Sequence, residues 1–217
     1  DQPLFIADGH HRYEVAVEYR KLRLQGKKNS TGKEPFNYLM TYFTNLESKD
    51  LSILPIHRVV KKMPEDLSFL EEFFRVDRVS NMNELKILLA RAGKNENAFG
   101  LYVRGTIKLL RLKNKTLIDE HIHEGSKDYR SLDATILKYF VFDRIKIASE
   151  DIVYKKDLKE AVDMVDANEG AACFILNSIH VDQLKAVALN GERMPPKTTY
   201  FYPKVLSGLT IYNMEEQ

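Results

Sequence analysis

FIADGHHRYEVAVEYRKLR, Phe5 to Arg23, decides how the amino end of this chain is read. An apolar run, Leu4 to Ala7, stops at Asp8-Gly9, and a helical pattern follows at once. Val15, Ala16, Tyr19, Leu22 and Leu24 fall on one apolar stripe over Tyr13 to Leu24. The spacing therefore predicts strand, tight turn and helix. A helix N-terminus exposes unpaired N–H groups and a partial positive charge, which attract anions. Gly9 permits the turn and lets a ligand approach the backbone. His10, His11 and Arg12 add donors at the same place, and an arginine can fork onto a phosphate. Asp8 is an acid in a basic nest. It fits as a helix cap, a magnesium ligand, or a base for a hydroxyl. Together, Gly9, His10, His11 and Arg12 read as a phosphate-binding turn, with Asp8 and His11 placed for the chemistry.

Outward from that turn, QGKKNSTGKEP is a polar loop and the best sequence candidate for a mobile segment; its Lys28 lies outside the residues described structurally below. FNYLMTYFTN (Phe36 to Asn45) reads as a buried strand. LSILPIHRVVKKM gives another, which Pro55 should place at an edge or a bend. Beyond Met63 the pattern changes. PEDLSFLEEFF opens like a helix and RVDRVS reads as a short strand. NMNELKILLARAG is a helix capped by Asn81 or Asn83 and stopped at Gly93. AFGLYVRGTIKLLRLK is a hairpin around Arg104-Gly105. SLDATILKYFVFDRI and DLKEAVDMVDANEG read as helices, AACFILN as a buried strand, and VDQLKAVALNGE as a helix stopped at Asn190-Gly191. Helices and strands alternate irregularly, so the fold class is α+β, mixed α/β. The motif-bearing part is placed at 1–62 and a mixed sheet-and-helix region at 63–217, whose tail returns to pack on the first part.

The 217 residues are 44% hydrophobic and 29% charged, ordinary for a globular chain. Thirty-three basic against 31 acidic residues give a net charge of +2, which leaves no electrostatic footprint for nucleic acid. No run approaches a membrane span and none reads as a signal peptide. The single cysteine, Cys173, sits in an apolar run as a packed core thiol and fits a reducing cytoplasm. The chain begins at Asp1 without a methionine, which suggests a piece of a longer polypeptide. There is no Walker A loop, dinucleotide glycine fingerprint or CxxC zinc pattern.

FIADGHHRYEVA resembles the central motif of the DUF1015 family of uncharacterised bacterial and archaeal proteins. FNYLMTYFTNLESKDLSILPIHRVV, FGLY and GERMPPKTTYFYPKVLSGLTIY resemble that family's carboxyl-terminal half. DGHHR before a helix is also similar to the motif of the ADP-dependent free serine kinase, of the ParB/sulfiredoxin-like fold. That resemblance covers Leu4 to Leu24. It implies that residues 1–62 are part of a ParB/sulfiredoxin-like domain, probing nucleotide phosphates with this turn. In sulfiredoxins the motif is Gly-Cys-His-Arg; here His10 stands where the catalytic cysteine would be, which removes that chemistry. ParB sites use Gly-Glu-Arg-Arg, matched here by Gly9 and Arg12.

The tail segment KTTYFYPK sets Lys197, Thr198, Thr199 and Lys204 among Tyr200, Phe201 and Tyr202. Cations, hydroxyls and aromatic rings in that mixture suit phosphate and base binding, and Lys197 and Thr198 join the candidate nucleotide site. The alternative is a core-facing aromatic strand with solvated lysines. Arg58 and Arg193 are further cations of the same kind. The functional expectation is a nucleotide-dependent phosphotransferase, a small-molecule kinase using ATP or ADP with magnesium, on Asp8 as a possible metal ligand, and a small hydroxyl compound as acceptor. The alternatives are a nucleotide-binding regulatory module without phosphotransfer, and a protein whose histidines hold a metal. For the latter, His10 and His11 are adjacent and diverge by about 100° on a helix; His121 and His123 have the spacing of ligands on an extended strand. His57, after Pro55, is a core or a site residue.

Overall fold

The computed structural model describes residues 3–27, 29–93 and 95–215. Its strands are β1 (Ser52–Leu54), β2 (His57–Val60), β3 (Phe74–Val79), β4 (Ala98–Val103), β5 (Thr106–Leu112), β6 (Ile152–Lys155), β7 (Ala172–Ile175) and β8 (Tyr200–Tyr202). Its helices are α1 (His10–Gln25), α2 (Leu70–Phe73), α3 (Met82–Ala92), α4 (Thr116–His121), α5 (Lys127–Arg130), α6 (Asp133–Leu137), α7 (Leu158–Asp166) and α8 (Val181–Leu189). The chain is mixed α+β. Its contacts divide it into two units: one runs up to Ser52 and resumes at Phe201, and the other is Ile53–Tyr200. Met63 falls inside the second.

In the second unit, six strands form one sheet in the order β3-β5-β4-β7-β2-β6, antiparallel at every pairing. β1 and β8 form a separate two-stranded sheet. Strand residues alternate between two apolar layers. Val60, Phe74, Phe99, Leu101, Leu110 and Phe174 face a cluster that includes Phe73, Ile118, Ile136 and Phe140. Val59, Tyr102, Leu109, Cys173 and Ile175 face Leu85, Leu89, Ala161 and Val165 on α3 and α7. Coverage on both faces explains why AACFILN is apolar at consecutive positions, although the sheet is antiparallel. Each of these buried large side chains contributes roughly 1.5–3 kcal/mol. Gly100 lets α3 close on the sheet: a Cβ there would stand 2.6 Å from Leu85 Cδ2 and 3.0 Å from Ile175 Cβ.

Most local signals in this unit place their elements correctly. Asn81 Oδ1 accepts from the Glu84 N–H (3.0 Å) and Glu84 Oε2 from the Ser80 N–H (2.9 Å), fixing the start of α3. Asp157 caps α7 by accepting from the Glu160 N–H. Arg104 and Gly105 both take positive φ, as the short turn between β4 and β5 requires. Pro55 marks a bend between β1 and β2; it does not mark an edge, because β2 pairs with β6 on one side and β7 on the other. PEDLSFLEEFF forms only the single turn α2 at its far end.

The first unit departs from expectation. α1 forms, but none of its residues is buried, and Val15 and Leu22 of its apolar stripe are largely exposed. Leu4 to Ala7 forms no strand and has no ladder partner among the described residues. In FNYLMTYFTN only Phe36 is buried, within a short 3-10 turn, Pro35–Asn37. Residues 38–45 continue unpaired, with Tyr38, Leu39, Met40, Tyr42 and Phe43 exposed. The composition asks for burial, and no partner strand among the described residues supplies it. What order there is comes from polar ties. Glu34 accepts from the Thr31 N–H (2.7 Å), Asn37 Nδ2 (2.8 Å) and Ser30 Oγ (3.1 Å), and the Thr31 N–H leads the interactions that hold its carboxyl down to about 2. Arg20 Nε donates to Asn37 Oδ1 at 2.8 Å, and Arg23 and Lys27 lie over the Phe36 ring.

Candidate functional site

The turn before α1 is built around Gly9, which occupies the N-cap position at φ 84° and ψ 26°. That left-handed conformation is open to glycine at no steric cost. The Arg12 guanidinium also folds back onto it: a Cβ on Gly9 would lie 2.9 Å from Arg12 Nη2 and 3.1 Å from Nε. The first helical bond runs from the Tyr13 N–H to the Gly9 carbonyl at 3.0 Å. No side chain caps the helix and its first turn carries no acid. The N–H groups of His10, His11 and Arg12 are therefore left with no acceptor among the described residues, beside one guanidinium and two imidazoles. His11 Nδ1 lies 3.5 Å from Glu14 Oε2 and its side chain is fully exposed.

Asp8 does not cap. Its Oδ1 accepts from the adjacent Gly9 N–H at 3.0 Å, and its Oδ2 accepts from Lys204 Nζ at 3.0 Å. Partial desolvation pushes its pKa up, but the Lys204 ammonium, the Gly9 N–H and nearby Arg12 outweigh that and hold the carboxyl below its ordinary range. Lys204 was named in the sequence among the tail cations, yet nothing in its spacing pointed to Asp8, 196 positions away.

Lys197 and Thr198 belong to the second unit, where the backbone splits them. Lys197 sits at φ 54° and lines an open depression beside β6. Thr198 donates its hydroxyl to the Pro195 carbonyl at 2.6 Å and lines an inner cavity of about 20 Å³ with Arg58, Asp133, Asn177 and Ser178. That volume suits one water molecule. Around it lies a polar cluster that the sequence does not announce: Asp133 falls in SLDATILKYFVFDRI, read only as a helix. Burial lowers the Arg58 guanidinium to about 10, and its Nη1 donates to the Ile56 carbonyl at 2.9 Å. Asn97 Nδ2 donates to Asp133 Oδ1 at 2.6 Å and to the Ser131 carbonyl at 2.9 Å. Desolvation drives the Asp133 carboxyl up to about 6 despite that bond and the nearby Arg58. His57 is a core residue by position: it is 4% exposed, its Nδ1 accepts from the Leu176 N–H at 3.3 Å, and burial depresses it to about 4.

No group of three or more His, Cys, Asp or Glu side chains is placed to hold a metal among the described residues. His121 ends α4 rather than lying on a strand, and its ring packs edge-on against Phe73 and Phe140. Cys173 is fully buried, and burial pushes its thiol up to about 12. Among the described residues no helix is long and apolar enough to cross a membrane.

A family model described as "Protein of unknown function (DUF1015)" matches residues 1–135. No curated protein matches the chain. Among solved structures, it is similar to a conserved hypothetical protein from Pyrococcus furiosus, at 17% identity and TM-score 0.47 over 90% of this chain and 68% of that one. It is also similar to a free serine kinase in complex with AMP, at 18% identity and TM-score 0.49 over 90% of this chain and 66% of that one. A mutant free serine kinase in complex with ADP gives 19% identity and TM-score 0.47, with the same coverage. The chain spans about two thirds of the length of these structures.

Proposed function

The chain belongs to the DUF1015 family, and for this member we propose nucleotide-dependent phosphotransfer to a small hydroxyl compound, with phosphates held at the start of α1. The observation that carries the reading is the uncapped turn: three N–H groups without an acceptor among the described residues, beside His10, His11 and Arg12. The DGHHR resemblance to the free serine kinase motif supports it. In this reading the Gly9 turn and the N–H groups cradle the phosphates, Arg12 forks onto them, and His10 and His11 donate to their oxygens. Such sites work mainly by positioning and charge neutralisation.

Asp8 has a narrower part. A carboxyl held below its ordinary range by Lys204 is a weak proton acceptor. It serves better to orient the acceptor hydroxyl or to contribute one oxygen to magnesium, which typically takes one or two carboxylates and draws its other ligands from phosphates and water. Either role requires Lys204 to yield one side of the carboxylate. In the same reading His11 acts as donor to the transferred group. The site lies in the first unit, read here as the motif-bearing part of a ParB/sulfiredoxin-like domain; that unit holds nearly all of the chain's exposed large apolar side chains, as an incompletely covered domain would.

A second reading rests on one observation. Asp8, His10, His11 and Arg12 are all exposed, and phosphotransfer ordinarily proceeds where water is excluded. A nucleotide-binding module without transfer needs no such enclosure. Thermal unfolding of the chain and its Arg12→Ala variant against ATP, ADP, CTP and GTP with magnesium, and against pyrophosphate alone, tests both readings. A nucleotide-linked rise in midpoint that disappears in Arg12→Ala supports phosphate capture at this turn. An undiminished rise in the variant removes the turn from the site. Phosphate transfer to a panel of small hydroxyl compounds then separates kinase from binder.

A further inference from the structure

Beside β6, at one edge of the six-stranded sheet, lies an open depression of about 600 Å³. The successive residues Ile152 to Lys156 line it, so the unpaired side of the edge strand forms one wall. Three ammonium groups, Lys155, Lys156 and Lys197, face it with one carboxylate, Glu160. Lys155 is committed: its Nζ lies 3.2 Å from Glu160 Oε2. The other two meet no carboxylate among the described residues. Lys156 Nζ donates to the Tyr200 hydroxyl at 3.4 Å and lies 4.9 Å from the centre of the Tyr200 ring. Tyr154 and Tyr200 add two aromatic rings to the wall.

From this geometry we infer that the depression is a binding site for a phosphate ester carried on a flat ring. The volume lies in the range of small-molecule sites, about 300–1,000 Å³. Two uncompensated ammonium groups in one concavity repel each other and are relieved by a compact dianion. The tyrosines contribute aromatic surface to the wall, with Arg58 5.8 Å from the centre of the Tyr154 ring and Lys156 4.9 Å from that of Tyr200, and a planar group suits such a cation-flanked aromatic wall. The chain supplies both halves locally: Tyr154, Lys155 and Lys156 in succession on the edge strand, Lys197 at its positive φ, and Tyr200 three positions on. This site is built from second-unit residues alone and does not depend on phosphotransfer at the α1 turn.

The test is a titration of the intact, isotope-labelled chain followed by amide NMR, with phenyl phosphate, phenol and inorganic phosphate as probes. Phenyl phosphate should shift the amides of Val153 to Lys156 and Tyr200 saturably. Phenol and inorganic phosphate should each bind there about tenfold more weakly, and Lys156→Gln or Lys197→Gln should weaken phenyl phosphate about tenfold as well. Both lysines are exposed, so neither variant threatens the fold. Arg12→Ala should leave the β6 shifts unchanged. Equal binding of phenol, or an unaltered titration in both lysine variants, would overturn the assignment. Shifts confined to residues 9–13 would overturn it too, while leaving the α1 turn as the anion site.

Discussion

The stability of the second unit should fall by only about 1 kcal/mol from about pH 7 to about pH 5, and two single substitutions should move that slope in opposite directions. His57 is depressed from 6.5 to about 4, chiefly by burial. Below 6.5 the unfolded chain binds a proton that the folded imidazole refuses. Its contribution is present above the unfolded pKa and is lost as pH falls, by about 2 kcal/mol at pH 5. Asp133 runs the other way, raised from 3.8 to about 6 by desolvation. Here the folded carboxyl binds the proton that the unfolded chain refuses. Its contribution is fully present below 3.8 and is lost as pH rises through the folded value, so acidification to pH 5 returns about 1 kcal/mol. The two partly cancel, leaving a loss of about 1 kcal/mol at pH 5. Among the described residues, Arg58 acts on both; Asp157 and Lys86 also act on His57, and Asn97 and His180 on Asp133.

Asp133→Asn keeps an acceptor for Asn97 and removes the gain, so stability should fall by about 2 kcal/mol between pH 7 and pH 5. His57→Asn keeps an acceptor for the Leu176 N–H and removes the loss, so stability should rise by about 1 kcal/mol over the same interval. Urea unfolding followed by far-UV circular dichroism measures the change. Native-state hydrogen exchange at the amides of β2 and β7 reads the second unit alone. An Asp133→Asn chain no more acid-labile than the parent, or a His57→Asn chain more acid-labile than the parent, would refute this pair of opposed titrations.

Gly9→Ala should cost about 1 kcal/mol or more in the helix start, through its positive φ, and should displace Arg12; nucleotide-linked stabilisation should fall with it in a thermal shift assay. Asp8→Asn should abolish phosphate transfer while sparing most nucleotide binding, and equal loss of both by calorimetry would leave Asp8 no chemical role. Cys173 should not react with a thiol reagent in the folded chain and should titrate fully in denaturant; fast labelling under native conditions would contradict its burial. A hydrophobic dye should bind the chain at neutral pH, and amides of α1 should exchange faster than those of β4 and β7; equal protection would mean that the apolar side chains of the first unit are covered.

The second unit was largely legible because its determinants are local. Asn81 and Asp157 reach only three positions to cap their helices, Arg104-Gly105 fixes its turn unaided, and the apolar strands meet apolar layers on both faces. In the first unit, composition states what should be buried but not what buries it: Tyr38, Met40, Tyr42 and Phe43 read as a core strand and lie exposed. The same division holds for the site. Gly9 and the helix that follows could be read from adjacent residues. Asp8 precedes the N-cap Gly9 and meets Lys204, near the far end of the chain, and no spacing rule connects the two. That contact also sets what Asp8 can do, because a carboxylate held by an ammonium gives up basicity and keeps its charge. The residue types therefore suit the proposed anion-binding turn, while the proposed part of Asp8, charge positioning rather than proton transfer, rests on a partner that only the fold brings near.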